Sequence, residues 1–304
     1  MDYILQANGL CKEYRHAKAL DGLSLRVPKG SIYGLVGKNG AGKTTLIRIL
    51  CGLQQPTAGS FSLYGAGWGE PGFARARRRM GALVETPALY PGMTARQNLA
   101  LQNRVLGLPD DENIPALLRL TGLEGTGRKK VRHFSLGMRQ RLGIALALCG
   151  SPDLLVLDEP TNGLDPQGII DVRELILKLN REHQITVLIS SHILDELARL
   201  ATFYGFIDGG RMVREISAAA FERAGRKRLR VTVSDVQALA LLLEREGMEY
   251  KILSSTQADV FGSPNITRLA LALHEAGCEL EKVQEQDESL ESYFLNLVGG
   301  ERHE

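Results

Sequence analysis

Apolar residues in the first two thirds of the chain come in short continuous runs of strand length, interrupted by stretches of helical spacing. Leu23–Val27 and Ile32–Val36 are two such runs, flanking a Pro28-Lys29-Gly30 turn. A glycine-rich loop follows Val36, then a helical pattern that runs through Ile49 and stops at Gly52, a residue suited to a helix C-terminus. From about residue 88 to residue 150 the spacing predicts helices over Gln97–Leu106, Ile114–Thr121 and Arg139–Leu148. Strand runs return at Leu154–Leu157 and Ile185–Ile189, around a helix from about Gln167 to Arg181. Continuous apolar strands separated by helices indicate a parallel sheet covered on both faces. Residues 1–220 are therefore expected to form an α/β core with a helical insertion over about 88–150.

Near residue 220 the pattern changes. Arg223, Arg226, Lys227, Arg228 and Arg230 form a basic junction with few apolar positions. Beyond it the periodicity predicts strand (229–233), helix (236–246), strand (250–254), strand (258–262), helix (266–276) and strand (279–283), before a last helix over 290–298. The order βαββαβ matches a ferredoxin-like α+β unit, assigned to residues 221–304.

Composition narrows the class further. The chain is 44% apolar and 24% charged, as globular proteins are, and 304 residues suffice for two domains. Its 37 Lys and Arg nearly balance 35 Asp and Glu, so the net charge of +2 gives it no electrostatic reason to seek nucleic acid or acidic lipid. Cys11, Cys51, Cys149 and Cys278 lie far apart, which excludes a zinc-ligand pattern and a dense disulfide framework and suggests reduced thiols. The start, MDYILQANGL, does not read as a signal peptide. Apolar windows such as Leu142–Cys149 fall far short of the roughly 20 residues that span a bilayer. If this chain serves a membrane, it is expected to do so through a partner.

Two motifs carry phosphate chemistry. Gly37-Lys38-Asn39-Gly40-Ala41-Gly42-Lys43-Thr44 fits G-x-x-x-x-G-K-[ST], after a strand and before a helix that continues with Thr45. The glycines let backbone N–H groups turn inward around phosphate oxygens, and the helix N-terminus adds its positive end. Lys43 is expected to reach the outer phosphates and Thr44 to offer a hydroxyl to Mg²⁺. Leu154–Leu157 runs into Asp158 and Glu159, an apolar strand ending in two acids. Taken alone it could be a buried strand with a solvated end. After a phosphate loop it reads as a Walker B strand, with Asp158 on Mg²⁺ and Glu159 orienting or deprotonating the attacking water.

The segment between these motifs resembles the ABC-transporter ATPases. Phe134-Ser135-Leu136-Gly137-Met138-Arg139-Gln140 stands where that family has its signature, with Ser135 and Gly137 at the serine and glycine places. Gly163-Leu164-Asp165 resembles the D-loop, Ser190-Ser191-His192 the switch histidine, and Tyr14 the aromatic residue that stacks on adenine. The resemblance covers residues 14–192 and implies an ATP site shared between two chains. Ser135 and Gly137 would then act across a head-to-tail dimer, His192 would contact the γ-phosphate in its own chain, and Asp165 would be a nucleotide-site residue of the D-loop. It also implies separate multi-span membrane subunits and a place on the cytoplasmic face of the cell membrane.

Three positions depart from the family's commonest pattern. Leu136 stands for glycine, Met138 for glutamine, and Glu85, in Val84-Glu85-Thr86-Pro87, for the Q-loop glutamine. A carboxylate at 85 could still meet Mg²⁺, since oxygen is what a hard cation needs, but it adds negative charge near phosphate. Together with Pro87-Ala88-Leu89-Tyr90-Pro91, these departures resemble the bacitracin-resistance and lantibiotic-immunity exporters. The basic clusters Arg75–Arg79 and Arg128–Arg132 read as solvated faces, or the second as a guide for ATP or a partner. The competing class is a soluble ABC-type ATPase of a non-transport process. It is disfavoured by the single phosphate loop and by the absence of sustained heptads between the Walker motifs. The C-terminal unit is open to roles in regulation, dimerisation or packing.

Overall fold

The computed structural model describes residues 2–15, 17–108, 111–224, 228–262, 264–286 and 290–299. Arg226 and Lys227 of the basic junction, and residues 300–304 of the C-terminal assignment, lie outside them. By its contacts the chain divides into Met1–Ala218 and Ala219–Glu304.

The first unit opens with two long antiparallel strands, β1 (Tyr3–Tyr14) and β2 (Ala17–Pro28). β3 (Ile32–Val36), wholly buried, leads through the glycine loop into α1 (Lys43–Leu50). β4 (Ala58–Leu63) and β5 (Ala66–Gly67) complete a four-stranded sheet in the order β2-β1-β4-β5. The short α2 (Phe73–Arg77) sets Phe73 against Phe61 of that sheet and Trp68 just after it. β6 (Met80–Leu83) precedes the three main helices of the insertion, α3 (Ala95–Leu106), α4 (Asn113–Leu120) and α5 (Leu136–Leu148). A capping box starts α3. Thr94 accepts from the Gln97 amide, and the Gln97 side chain accepts from the Thr94 amide.

After the insertion come β7 (Leu154–Asp158), α6 (Pro166–His183), β8 (Thr186–Ser191) and α7 (Leu194–Ala198). The hairpin β9 (Phe203–Asp208) and β10 (Arg211–Ser217) ends this unit. The second sheet runs β10-β9-β3-β8-β7-β6, parallel except for the β9–β10 pair. Buried Leu46, Ile47 and Leu50 of α1 share one core with Leu35, Val156 and Leu188 of this sheet and Leu5 and Phe61 of the other. The sheet therefore gathers the ends of β3, β6, β7 and β8 at one edge, the usual place for a ligand in such folds.

Close packing fixes α5 against that sheet. A Cβ on Gly81 of β6 would overlap the Ala147 carbonyl oxygen of α5, and one on Gly143 of α5 would lie 2.8 Å from Pro87. Gly81→Ala must push the helix away, so it is expected to cost about 2 kcal/mol or more. A lowered denaturation midpoint checks this, and an unchanged midpoint would refute the contact.

α8 (Ala218–Ala224) leads into the second unit. There β11 (Arg228–Val233), α9 (Val236–Arg245), β12 (Tyr250–Ile252), β13 (Gln257–Phe261), α10 (Ile266–Glu275) and β14 (Leu280–Gln286) precede α11 (Leu290–Gly299). The sheet order β12-β13-β11-β14 is antiparallel throughout, as a ferredoxin-like unit requires. Leu229, Val231 and Val233 alternate inward against Leu239 and Leu243 of α9 and Leu269 and Leu273 of α10. Arg230, on the opposite face of β11, donates through Nε and Nη2 to the buried carboxylate of Asp259, at 2.8 and 3.0 Å.

Candidate functional site

The glycine loop is shaped by close neighbours as much as by its own freedom. A Cβ on Gly37 would lie 2.6 Å from the Ile207 carbonyl of β9. Gly42 caps α1 with φ +106°, and a Cβ there would lie 2.6 Å from the Ala19 carbonyl of β2. Between them Lys38, Asn39 and Gly40 form an exposed crest, while Ala41 is buried and receives Gly210 N–H on its carbonyl at 3.0 Å. Lys43 is buried at the first turn of α1 and folds back over the loop. Its ammonium donates to the carbonyls of Gly37 (2.7 Å) and Lys38 (3.2 Å). Thr44 and Thr45 follow, both half-buried.

Glu159 faces Lys43 and links it to the ends of β7 and β8. Glu159 Oε1 lies 3.5 Å from its ammonium, and Glu159 Oε2 lies 3.0 Å from His192 Nδ1. Asp158, the last residue of β7, is buried, and one of its oxygens accepts from Ser190 Oγ at 2.6 Å. The same Ser190 hydroxyl accepts from the Glu159 amide at 2.9 Å. Glu159 has φ +47°, a conformation that costs a residue bearing a Cβ about 1–3 kcal/mol. That turn bends the chain sharply at the strand end and swings Glu159 between Lys43 and His192.

Ser135, Gly137 and Asp165 gather separately. Ser135 caps α5, its hydroxyl accepting from the Met138 amide at 3.2 Å. Asp165 caps α6 and accepts from the Gly168 amide at 3.0 Å. The two caps adjoin: a Cβ on Gly137 would lie 3.8 Å from Gly168, and one on Gly163 would lie 3.4 Å from Leu136. Leu136 is itself exposed. Among the described residues, no hydrogen bond or ion pair joins Ser135 to the Lys43 cluster. Tyr14 is exposed at the tip of the β1–β2 hairpin, with its hydroxyl donating to Gln54 at 2.8 Å and Lys12 5.4 Å above its ring. Ala19, two residues beyond Ala17, which faces Tyr14 across that hairpin, lies against Gly42. Glu85 has φ +59° and is ion-paired with Arg48 of α1.

Sequence reasoning passed over Ser190 as an acid-holding residue and Arg48 altogether. For Ser190 the signal was present, a hydroxyl ending the apolar strand next to β7. The cysteines are free. Burial pushes the Cys51 thiol up to about 12 and the Cys149 thiol up to about 11, away from reactivity.

A family model described as ABC transporter matches residues 20–162. The chain is 39% identical over 306 residues to the bacitracin transport ATP-binding protein BcrA of Bacillus licheniformis, covering 99% of each protein. The chain belongs to the ATP-binding subunits of ABC transporters. It is also 43% identical over 212 residues to the lantibiotic transport ATP-binding protein SrtF of Streptococcus pyogenes, covering 70% of this chain and 90% of that one. Among solved structures, cbiO1 from Clostridium perfringens, part of the ABC transporter complex cbiONQ, superposes with a TM-score of 0.65 at 27% identity. That match covers 72% of this chain and 90% of cbiO1. The similarity to BcrA thus extends through the C-terminal unit of this ABC subunit, as nearly full coverage of both chains requires. Among the described residues no helix is long and apolar enough to cross a membrane.

Proposed function

We propose that this subunit hydrolyses ATP at a site completed by a second ATPase chain and drives export of an antimicrobial peptide or drug through separate membrane subunits. The observation that carries the hydrolytic reading is the Glu159 carboxylate, held between Lys43 and His192 directly after Asp158.

The chemistry follows from these residues. Incoming phosphate oxygens replace the loop carbonyls and Glu159 as partners of Lys43. The donors nearest the site suit magnesium: Asp158 presents a buried carboxylate and Thr44 a hydroxyl, both hard oxygens. The ion, when bound, offsets charge on the phosphates. Glu159 accepts the proton of a water that attacks the γ-phosphorus while the bond to the bridging oxygen of ADP breaks, giving ADP and phosphate. His192, on the far side of Glu159, holds that carboxylate in place and reaches the γ-phosphate. The Tyr14 ring, at the hairpin tip, receives the adenine face. Ser135 and Gly137 present the N-terminus of α5 to the phosphate bound by the other chain, with Asp165 beside them.

The names of BcrA and SrtF support an antimicrobial cargo. A groove of about 350 Å³ lined by Leu53, Met80, Val84 and Thr86 supports a membrane-subunit contact beside Glu85. The subunit then sits on the cytoplasmic face of the membrane, held there by its partner. Copurification from native membranes, with crosslinkers placed between residues 85 and 97, tests this. A multi-span protein is the expected product. Ribosomal or DNA-bound partners alone would favour a non-transport ATPase.

A further inference from the structure

Two glutamates follow the carboxyl ends of neighbouring strands. β6 and β7 pair in register with Leu83 opposite Leu157, and Glu85 and Glu159 each lie two residues farther on. Both have left-handed backbone, with φ of +59° and +47°. Adjacent strands are about 5 Å apart, so the two acids leave the sheet side by side. Each meets a cation on α1. Glu159 faces Lys43 at 3.5 Å, and Glu85 is paired with Arg48.

Arg48 stands four residues after Thr44, so the two share one face of α1, about 5–6 Å apart. The residue that holds the Glu85 carboxylate thus starts one helical turn from the residue whose hydroxyl is assigned above to magnesium. Without Arg48 it would be a third negative charge, after Asp158 and Glu159, around an anionic triphosphate. The commonest family pattern has a neutral amide at this position. Arg48 and Glu85 are both more than a third exposed, and exposed ion pairs contribute little to stability. The Arg48 backbone carbonyl also accepts from Leu53 and Gln54, fixing its turn of the helix.

We infer that Arg48 is a positioning residue for Glu85, forming with it a charge-neutral pair that makes an acid compatible with ATP at the Q-loop position. The inference rests on the reading of the ATP site given above. Its test is equilibrium binding of a fluorescent ATP analogue at low ionic strength, in EDTA and in magnesium. Wild type is compared with Arg48→Met, Arg48→Lys, Glu85→Gln and the double variant Arg48→Met/Glu85→Gln.

In EDTA, Arg48→Met should weaken binding about tenfold, as an uncompensated charge near phosphate in a partly solvated site demands. Arg48→Lys, which keeps the charge, should stay within about twofold of wild type. The double variant should return to within about twofold of Glu85→Gln, because the charge to be balanced is gone. Magnesium should shrink the Arg48→Met defect. An unaltered Arg48→Met, or a loss that persists in full beside Gln at 85, would overturn the inference. Lys43→Ala, measured alongside, keeps the two readings apart. If Lys43→Ala binds normally, the ATP site itself is misassigned. If it fails to bind while the Arg48 and Glu85 effects simply add, only the pairing is wrong.

Discussion

Glu159→Gln should bind ATP at least as tightly as wild type and release phosphate about a hundredfold or more slowly. The amide has the carboxylate's shape and can stay 3.0 Å from His192, but it cannot take a proton from water. It also removes the negative charge 3.5 Å from Lys43, so affinity should hold or rise. Single-turnover phosphate release, read beside nucleotide affinity on the same protein, separates the two effects. Near-normal release would take Glu159 out of the reaction.

Ser135→Arg should abolish most steady-state hydrolysis while each chain still binds ATP. The substitution puts a bulky cation where the cap of α5 would meet the other chain's γ-phosphate, and it leaves Lys43, Thr44 and Asp158 untouched. Losing the hydroxyl that caps Met138 costs about 1 kcal/mol, so the fold should survive. Mixing this variant with Lys43→Ala reads the geometry directly. In a head-to-tail pair, one site carries both defects, and the other joins an intact phosphate loop to an intact cap. Activity should return on mixing, toward half of wild type per mixed pair if the two sites fire independently. Full activity of Ser135→Arg alone, at a dilution where the protein is monomeric, would rule out a shared site.

The parallel sheet was legible because its strands are continuous apolar runs, as doubly covered strands must be. β3, β7 and β8 are buried at every position, and each ends in a motif. β6 was not legible. It has four residues, follows an arginine cluster and alternates in burial. The antiparallel sheet was only partly visible. β1 and β2 each run twelve residues, but their pairing shifts register between Ala7 and Leu10 and again near Lys12, which breaks the alternation that would mark a long strand. The hairpin β9–β10 went unread although it supplies the walls of the glycine loop, through Ile207 and Gly210.

Around the candidate site, spacing revealed the residues that motifs fix: Lys43, Asp158, Glu159 and Ser135. It did not reveal who partners whom. Arg48 meets Glu85 across thirty-seven positions and Ser190 meets Asp158 across thirty-two, and no local pattern encodes such pairs. Left-handed backbone at Glu85 and Glu159 was equally hidden, since a glutamate carries no mark of positive φ as glycine does.

Ser190 has one more consequence. A single hydroxyl donates to the Asp158 carboxylate and accepts from the backbone amide of Glu159, so one acid and the backbone of its neighbour are tied down by the next strand. The Asp158 carboxylate loses its rotational freedom when the sheet folds, not when a ligand arrives. That acid therefore waits already oriented, while Lys43 and Glu159 exchange partners when phosphate arrives. If a second chain completes the site as proposed, a membrane partner would govern the rate simply by holding two such subunits apart.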